Sequence, residues 1–252
     1  MIKIENITIS GFEAAVRGMR NPMNSWDKSD SSFQAESFVI GDNDLELMKK
    51  LYKAGTDHRK FMRMITVTMD ITAPLYWWKE FDTYKVGTVA NSCSTMHKIH
   101  AKEFTIEDFS TEHLNYDGRL YMQCLVDALN YWRDIYNNGG EYLDIESTLI
   151  EYNPKDKNIW WQLIQLLPSS YNQKRTVLLN YEVLANICRS RKNHKLDEWV
   201  EFCDMVYREC YYFKEITESD GEAKEPKTKI IINQNGKNGT IIGNVGTVNI
   251  KR

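Results

Sequence analysis

The sequence predicts an α+β fold: a sheet containing Met1–Phe12 and Phe61–Ile71, packed by several helices, with a C-terminal β hairpin appended. Three observations carry this. From Phe61 to Ile71 the residues alternate: Phe61, Arg63, Ile65, Val67, Met69 and Ile71 fall on one side, and Met62, Met64, Thr66, Thr68 and Asp70 on the other. Further on, apolar residues recur at helical spacing from Leu120 to Tyr136, Lys174 to Arg189 and Leu196 to Phe213. Near the end, IIINQNGKNGTIIGNVGTVNIKR sets short β-branched runs between Asn-Gly and Gly-Asn turns, where positive φ is tolerated.

In chain order, Ile2, Ile4, Ile7 and Ile9 alternate through Met1–Phe12, a strand that Gly11 ends. Residues 13–35 start helical, break at Asn21-Pro22 and continue as a Ser- and Asp-rich surface loop. Asp44 caps a helix from Leu45 to Ala54, with Gly55 as its stop. After the strand Phe61–Ile71, Pro74 occupies the first turn of an aromatic helix carrying Leu75, Trp78 and Phe81. A small polar loop, GTVANSCST, follows. The helix Leu120–Tyr136 stops at Asn137-Asn138-Gly139-Gly140, Tyr142–Tyr152 adds a short helix, and Ile159–Leu167 another, ended by Pro168. Two long helices complete the body, and the polar, acidic stretch 217–227 reads as a linker. The expected organisation is therefore a domain over 1–216, a linker over 217–227 and a β tail over 228–252.

A chain of 252 residues with 42% hydrophobic and 27% charged residues can bury a sizeable core. A net charge of -3 gives no basic field for nucleic acid. The five cysteines form no CxxC pair, which fits reduced thiols in a cytoplasm. The N-terminus reads as a strand rather than a signal peptide, and no apolar run spans a membrane. With 14 Tyr, 7 Trp and 9 Phe, the aromatic excess points to core and subunit interfaces.

Strand, Pro-started helix and polar loop in that order place a ligand beside a helix end. In the loop, Asn91, Ser92, Ser94 and Thr95 offer donors, and Gly87 lets the backbone approach closely; the same residues make ordinary self-capped turns. Cys93 fits a thiolate activated by Lys85 or His97, or a small half-buried residue. Tyr76, Trp77, Trp78 and Tyr84 suit stacking on a planar ligand, but their spacing favours core or interface. His97 and His100 share a helix face at i, i+3, near Glu103 and His113; no third ligand is identified, so no metal is expected. Lys174, Arg175, Arg189, Arg191 and Lys192 form a cationic set, either phosphate-binding or a solvated face. Asn180 and Asn186, on an otherwise apolar helix, need partners if buried.

The order of these features resembles the flavin-dependent thymidylate synthases. That family runs from a Gly-His segment through a strand to an Ala-Pro helix start, then an Arg-His-Arg signature and a loop with Asn-Glu, Ser and Arg-Tyr. Here His58, the strand Phe61–Ile71, Ala73-Pro74 and Asn91-Ser92-Cys93-Ser94 stand in those places. Downstream, Leu167-Pro168, Asn180 and Asn186 follow the family's spacing, and Arg189 and Arg191 flank its substrate-binding Arg. Lys174 falls where another phosphate-holding Arg would stand. The resemblance covers about His58 to Trp199 and implies a curved mixed or antiparallel sheet and a homotetramer.

It also implies roles. Glu80 replaces a pyrimidine-contacting Gln, and Asn91, Ser92, Ser94, Lys174, Arg189 and Arg191 would hold a nucleotide. His58, Tyr84, Lys85, Asn180 and Asn186 would touch FAD. The departures are large: Arg-His-Arg becomes Thr83-Tyr84-Lys85, Asn-Glu becomes Asn91-Ser92, and Arg-Tyr becomes Met96-His97. The family's His after its first acidic residue falls at Met64, and the tail from Lys227 has no counterpart. An arginine that forks onto phosphate is poorly replaced. The expectation is a nucleotide-binding protein on this scaffold with its catalysis altered or lost. The alternatives are an active enzyme that methylates dUMP with a folate methylene and NADPH/FAD hydride, and an oligomeric assembly protein.

Overall fold

The computed structural model describes residues 2–34, 37–143, 146–218, 229–230, 232–233 and 241–242. In chain order it runs β1 (Lys3–Ser10), α1 (Phe12–Arg20), β2 (Ser32–Gln34), β3 (Ser37–Val39), α2 (Asp42–Lys53), β4 (Thr66–Pro74), α3 (Leu75–Phe81) and β5 (Val89–Ser92). It continues with α4 (Tyr116–Asn138), β6 (Gly140–Leu143), β7 (Leu149–Tyr152), α5 (Lys157–Leu166), β8 (Asn172–Asn180), α6 (Tyr181–Arg191), α7 (Asp197–Glu209) and α8 (Phe213–Thr217). Three two-residue strands follow: β9 (Lys229–Ile230), β10 (Ile232–Asn233) and β11 (Ile241–Ile242). The fold is the expected mixture of helices and sheet, with a four-stranded sheet in the order β1-β4-β8-β5.

The strand after Phe61 starts later than the alternation suggests. Arg59–Arg63 is a 3-10 turn, and β4 opens at Thr66. Phe61 and Met62 are adjacent and both buried, which a strand with one core face does not allow but a helical turn does. From there the alternation holds: Val67, Met69, Ile71 and Ala73 are buried, and Thr66, Thr68, Asp70 and Thr72 half-buried. Pro74 is extended, with ψ 151°, and precedes α3 instead of forming its first turn.

Two segments read as helices are strands. Tyr142–Tyr152 is an antiparallel hairpin, β6 against β7, with Tyr142 opposite Ile150. Residues 172–180 are β8, in which Val177 and Leu179 are buried and Thr176 and Leu178 exposed; only from Tyr181 does the chain become helical. The last predicted helix is also divided: Tyr212 takes φ 57° between α7 and α8. Part of the Ser-rich loop pairs as a β2–β3 hairpin, and β10 adds antiparallel to β3, with Ile232 opposite Phe38. β9 and β11 pair antiparallel with each other. The rest of the tail and most of the linker lie outside the described residues.

The chain divides into two packed units, and the division falls inside β1, β4, β5 and β8. The first comprises Met1–Lys3, Ile71–Thr83 and Asn91–Arg175. In it α4 packs on α5 around Ile99, Phe104, Phe109, Val126, Leu129 and Leu163. Trp77 stacks on Phe81 with ring centres 5.1 Å apart, and both are fully buried, each worth about 1.5–3 kcal/mol. The second comprises Ile4–Asp70, Tyr84–Ala90 and Thr176–Arg252. Its core joins Phe12, Tyr181 and Phe213 edge to face, with centres 5.6 and 5.3 Å apart, and the Tyr181 hydroxyl donates to the Tyr211 carbonyl at 2.8 Å.

Asp44 does not cap α2. It is fully buried and accepts from Arg20 Nε at 2.6 Å, Ser29 Oγ at 2.6 Å, Ser31 Oγ at 2.6 Å, Ser31 N at 3.1 Å and Asp30 N at 3.2 Å. Asp30 supplies the cap instead, accepting from Asn43 N at 2.9 Å and Asp44 N at 3.1 Å.

Candidate functional site

In the first unit, β5 and β8 bring the polar segment to one strand pair. The Cys93 N–H donates to the Lys174 carbonyl at 2.9 Å, and Gln173 Nε2 donates to the Cys93 carbonyl at 2.7 Å. Asn91 and Ser92, expected in a loop, are strand residues and exposed. Ser94 Oγ accepts from the backbones of Met96 at 3.2 Å and His97 at 3.0 Å, a local turn. Glu80 is half-buried on α3, where its carbonyl accepts from Thr83 Oγ1 at 2.7 Å.

Because β8 is a strand, Lys174 points to the opposite face from Gln173 and Arg175. Gln173 and Arg175 are joined at 3.0 Å. Arg175 also donates to Asp82 at 2.8 Å and lies 4.2 Å above the Trp78 ring, whose Nε1 donates to the Gln173 carbonyl at 2.9 Å. These bonds tie the start of β8 to α3. The Trp78–Gln173–Arg175 link joins residues far apart in sequence, and no local spacing announces it.

In the second unit the signature segment meets α6 and α7. The Tyr84 hydroxyl accepts from Arg191 Nε at 2.9 Å. The Arg191 guanidinium lies 5.0 Å from the Trp199 ring centre and 5.8 Å from that of Tyr84, and one terminal nitrogen meets His194 Nε2 at 2.9 Å. Trp199 and His194 were not singled out from the sequence; Trp199 reads there as one more apolar position of a helix. Gly87 has φ 78°, and a Cβ on it would meet Asn180 Nδ2 at 2.8 Å. A side chain there would be both strained and crowded.

Asn180 and Asn186 are not the buried polar pair expected. Asn180 is half-buried and caps α6, accepting from Val183 N at 3.0 Å. Asn186 is exposed and accepts from Arg189 at 2.8 Å. His58 and Lys85 are exposed. Arg63 and Arg59 both pair with Glu182 in the first turn of α6.

The thiols divide by burial. A hydrogen bond with Cys203, then burial, holds the Cys188 thiol up, and burial pushes Cys210 up to about 12. Neither is a thiolate near neutral pH. Cys93 is exposed. His97 and His100 lie in turns and not on a helix face, and among the described residues no three His, Cys, Asp or Glu gather as a metal would need. Among the described residues no helix is long and apolar enough to cross a membrane.

The expected nucleotide residues Glu80, Asn91, Ser92, Ser94 and Lys174 thus belong to the first unit. Arg189, Arg191 and the expected flavin residues His58, Tyr84, Lys85, Asn180 and Asn186 belong to the second.

No protein-family model matches the chain. No curated protein matches it either. Solved structures do. Thymidylate Synthase X from Helicobacter pylori with FAD and dUMP is similar at a TM-score of 0.59 and 14% identity, over 87% of this chain and 98% of that one. A second structure of the flavin-dependent enzyme from Helicobacter pylori, complexed with FAD and dUMP, gives 0.58 and 14%, over 86% and 98%. At this identity the likeness establishes the architecture: the chain has the fold of the flavin-dependent thymidylate synthases.

Proposed function

We propose that the protein binds a nucleotide on this scaffold and that the original catalysis is altered or lost. The observation that carries the reading is the setting of Arg191. A guanidinium held by Tyr84, His194 and the Trp199 ring is oriented before any ligand arrives, and it flanks the position of the family's substrate-binding Arg. Arg189 is the further nucleotide contact of the second unit under this reading; Glu80, Asn91, Ser92, Ser94 and Lys174, in the first unit, are nucleotide residues by the resemblance alone.

The residues expected at FAD fit it poorly. The Tyr84 hydroxyl is taken by Arg191, the Asn180 oxygen by the α6 backbone and the Asn186 oxygen by Arg189. His58 and Lys85 are exposed, and Lys85 is the one cation left where the family's signature has two arginines. No catalytic step is assigned to them. A cytoplasmic homotetramer belongs to the same proposal and rests on the resemblance. The alternative, an active flavin enzyme acting on dUMP, is favoured by the FAD and dUMP of both solved neighbours. An assembly role through the tail is the third reading.

The test is a thermal-shift and calorimetric titration of the purified protein with nucleoside mono-, di- and cyclic phosphates. A ligand at a hundred times its Kd stabilises by about 2.7 kcal/mol, a rise of roughly 5–11 °C at this size. Arg191→Gln is expected to abolish it. Yellow protein that releases tritium from labelled dUMP establishes the alternative instead. No response to any nucleotide sinks both and leaves assembly.

A further inference from the structure

A second polar cluster lies in the first unit and shares no residue with the nucleotide set. The segment before Phe104 is strapped along α4: Asn137 Nδ2 donates to the His100 carbonyl at 3.1 Å, and Asn130 bonds Phe104 N and O at 2.8 Å each. Arg133 lies between those two asparagines at helical spacing, so it faces the same segment. The His100 ring packs on Tyr136 with centres 4.8 Å apart. Lys155 reaches the same place from the loop before α5, its Nζ 4.6 Å from the Tyr136 ring centre and 2.6 Å from Asn137 Oδ1.

Two features of this cluster cost the fold energy. Arg133 Nε and His100 Nδ1 are buried atoms with no hydrogen-bond partner, although buried polar atoms are nearly always satisfied. Lys155 holds φ 66°, a left-handed conformation that asparagine or glycine adopts more easily. Its N–H is fixed to the Tyr136 carbonyl at 2.7 Å. A lysine is thus kept where its backbone is strained, its amine held at Asn137 and over the Tyr136 ring on which His100 packs.

We propose that Arg133, Lys155 and His100 form a binding site for a phosphate group. Two fixed cations, with Lys98 nearby, suit a dianion better than a carboxylate. The carboxylate bonded to Arg133 is that of Asp134, which takes a terminal nitrogen at 2.8 Å and is 65% exposed. Burial, then the charges of Lys155, Lys98 and Arg133, hold the His100 imidazole below its ordinary value, so it stands ready to take a proton when an anion arrives.

The test is a titration of the full chain with inorganic phosphate at constant ionic strength, followed on the His100 ring signals by NMR. His100→Gln gives the assignment, and acetate serves as a second arm. A saturable shift with a rise in the His100 pKa is expected, with acetate at least ten-fold weaker. Lys155→Asn removes the charge but suits the left-handed backbone. It is expected to weaken phosphate at least ten-fold with Tm unchanged or raised, and Arg133→Gln to do the same to binding. Non-saturating shifts matching chloride, acetate binding as tightly as phosphate, or full affinity in Lys155→Asn would each overturn the proposal.

Discussion

Replacing Asp44 by asparagine keeps the shape and removes the charge that holds the α1–α2 region together. The Arg20 guanidinium is 5% exposed and the Asp44 side chain 0%, so the cation loses its partner without gaining water. Breaking a buried pair in this way costs about 3–5 kcal/mol. At roughly 2–4 °C per kcal/mol for a chain of this size, Tm falls by roughly 6–20 °C. Ser29 and Ser31 now face an amide, which can still accept but carries no charge. The acid limb changes too. Burial raises the Asp44 carboxyl, but the bonds from Ser29, Ser31 and Arg20 outweigh it and leave the group below its ordinary value. A lowered folded value means the stabilisation is present above about pH 4 and is lost as pH falls through the folded value. Asp44→Asn should therefore flatten the stability profile below that pH. Adding Arg20→Met to Asp44→Asn removes the unpaired cation while the amide oxygen can still accept from Ser29 and Ser31, and should recover part of the loss. Urea unfolding across pH measures all three. A single mutant within about 1 kcal/mol of the parent, or a double no better than the single, would refute the reasoning.

Tyr84→Phe removes the acceptor for Arg191 but keeps the ring beside Trp199; it should cost about 0.5–1.5 kcal/mol and weaken nucleotide binding by up to roughly ten-fold in calorimetry. Gly87→Ala should destabilise by about 1–3 kcal/mol, since its φ of 78° and the Asn180 amide both oppose a methyl group. Asn180→Ala should lose about 1 kcal/mol as a helix cap, and a double-mutant cycle with Gly87→Ala in chemical denaturation should show coupling. Deleting Lys227–Arg252 should change assembly more than fold, which light scattering and circular dichroism together would read; an unchanged molar mass goes against it.

Much of the architecture can be read locally. β1, α4, α5 and the stops at Gly139 and Pro168 follow from period and turn chemistry, which act within a few residues. The same holds for the Thr66–Ile71 part of β4, whose strict alternation only one face of a sheet satisfies. The order of motifs also led to the flavin-dependent thymidylate synthase fold, which solved structures share at 14% identity.

Other features needed partners distant in sequence. In β8, Leu178 is apolar and exposed, so Val177-Leu178-Leu179 hides its period of two and reads as helix. Asp44 has the sequence of a cap, but Arg20, Ser29 and Ser31 converge on it across a loop and make it a buried counter-ion. Asn180 has the sequence of a buried ligand-binding amide, yet the turn from β8 into α6 uses it to cap the helix. Arg191 offers only a charge in the sequence, and packing from α6 and α7 makes it an oriented guanidinium between two rings. The sequence alone determined periodicity, turns and the order of the motifs, because those depend on neighbouring residues. The tertiary structure alone decided which polar groups are committed to the fold, because a hydrogen bond takes its partner by distance and not by position in the chain.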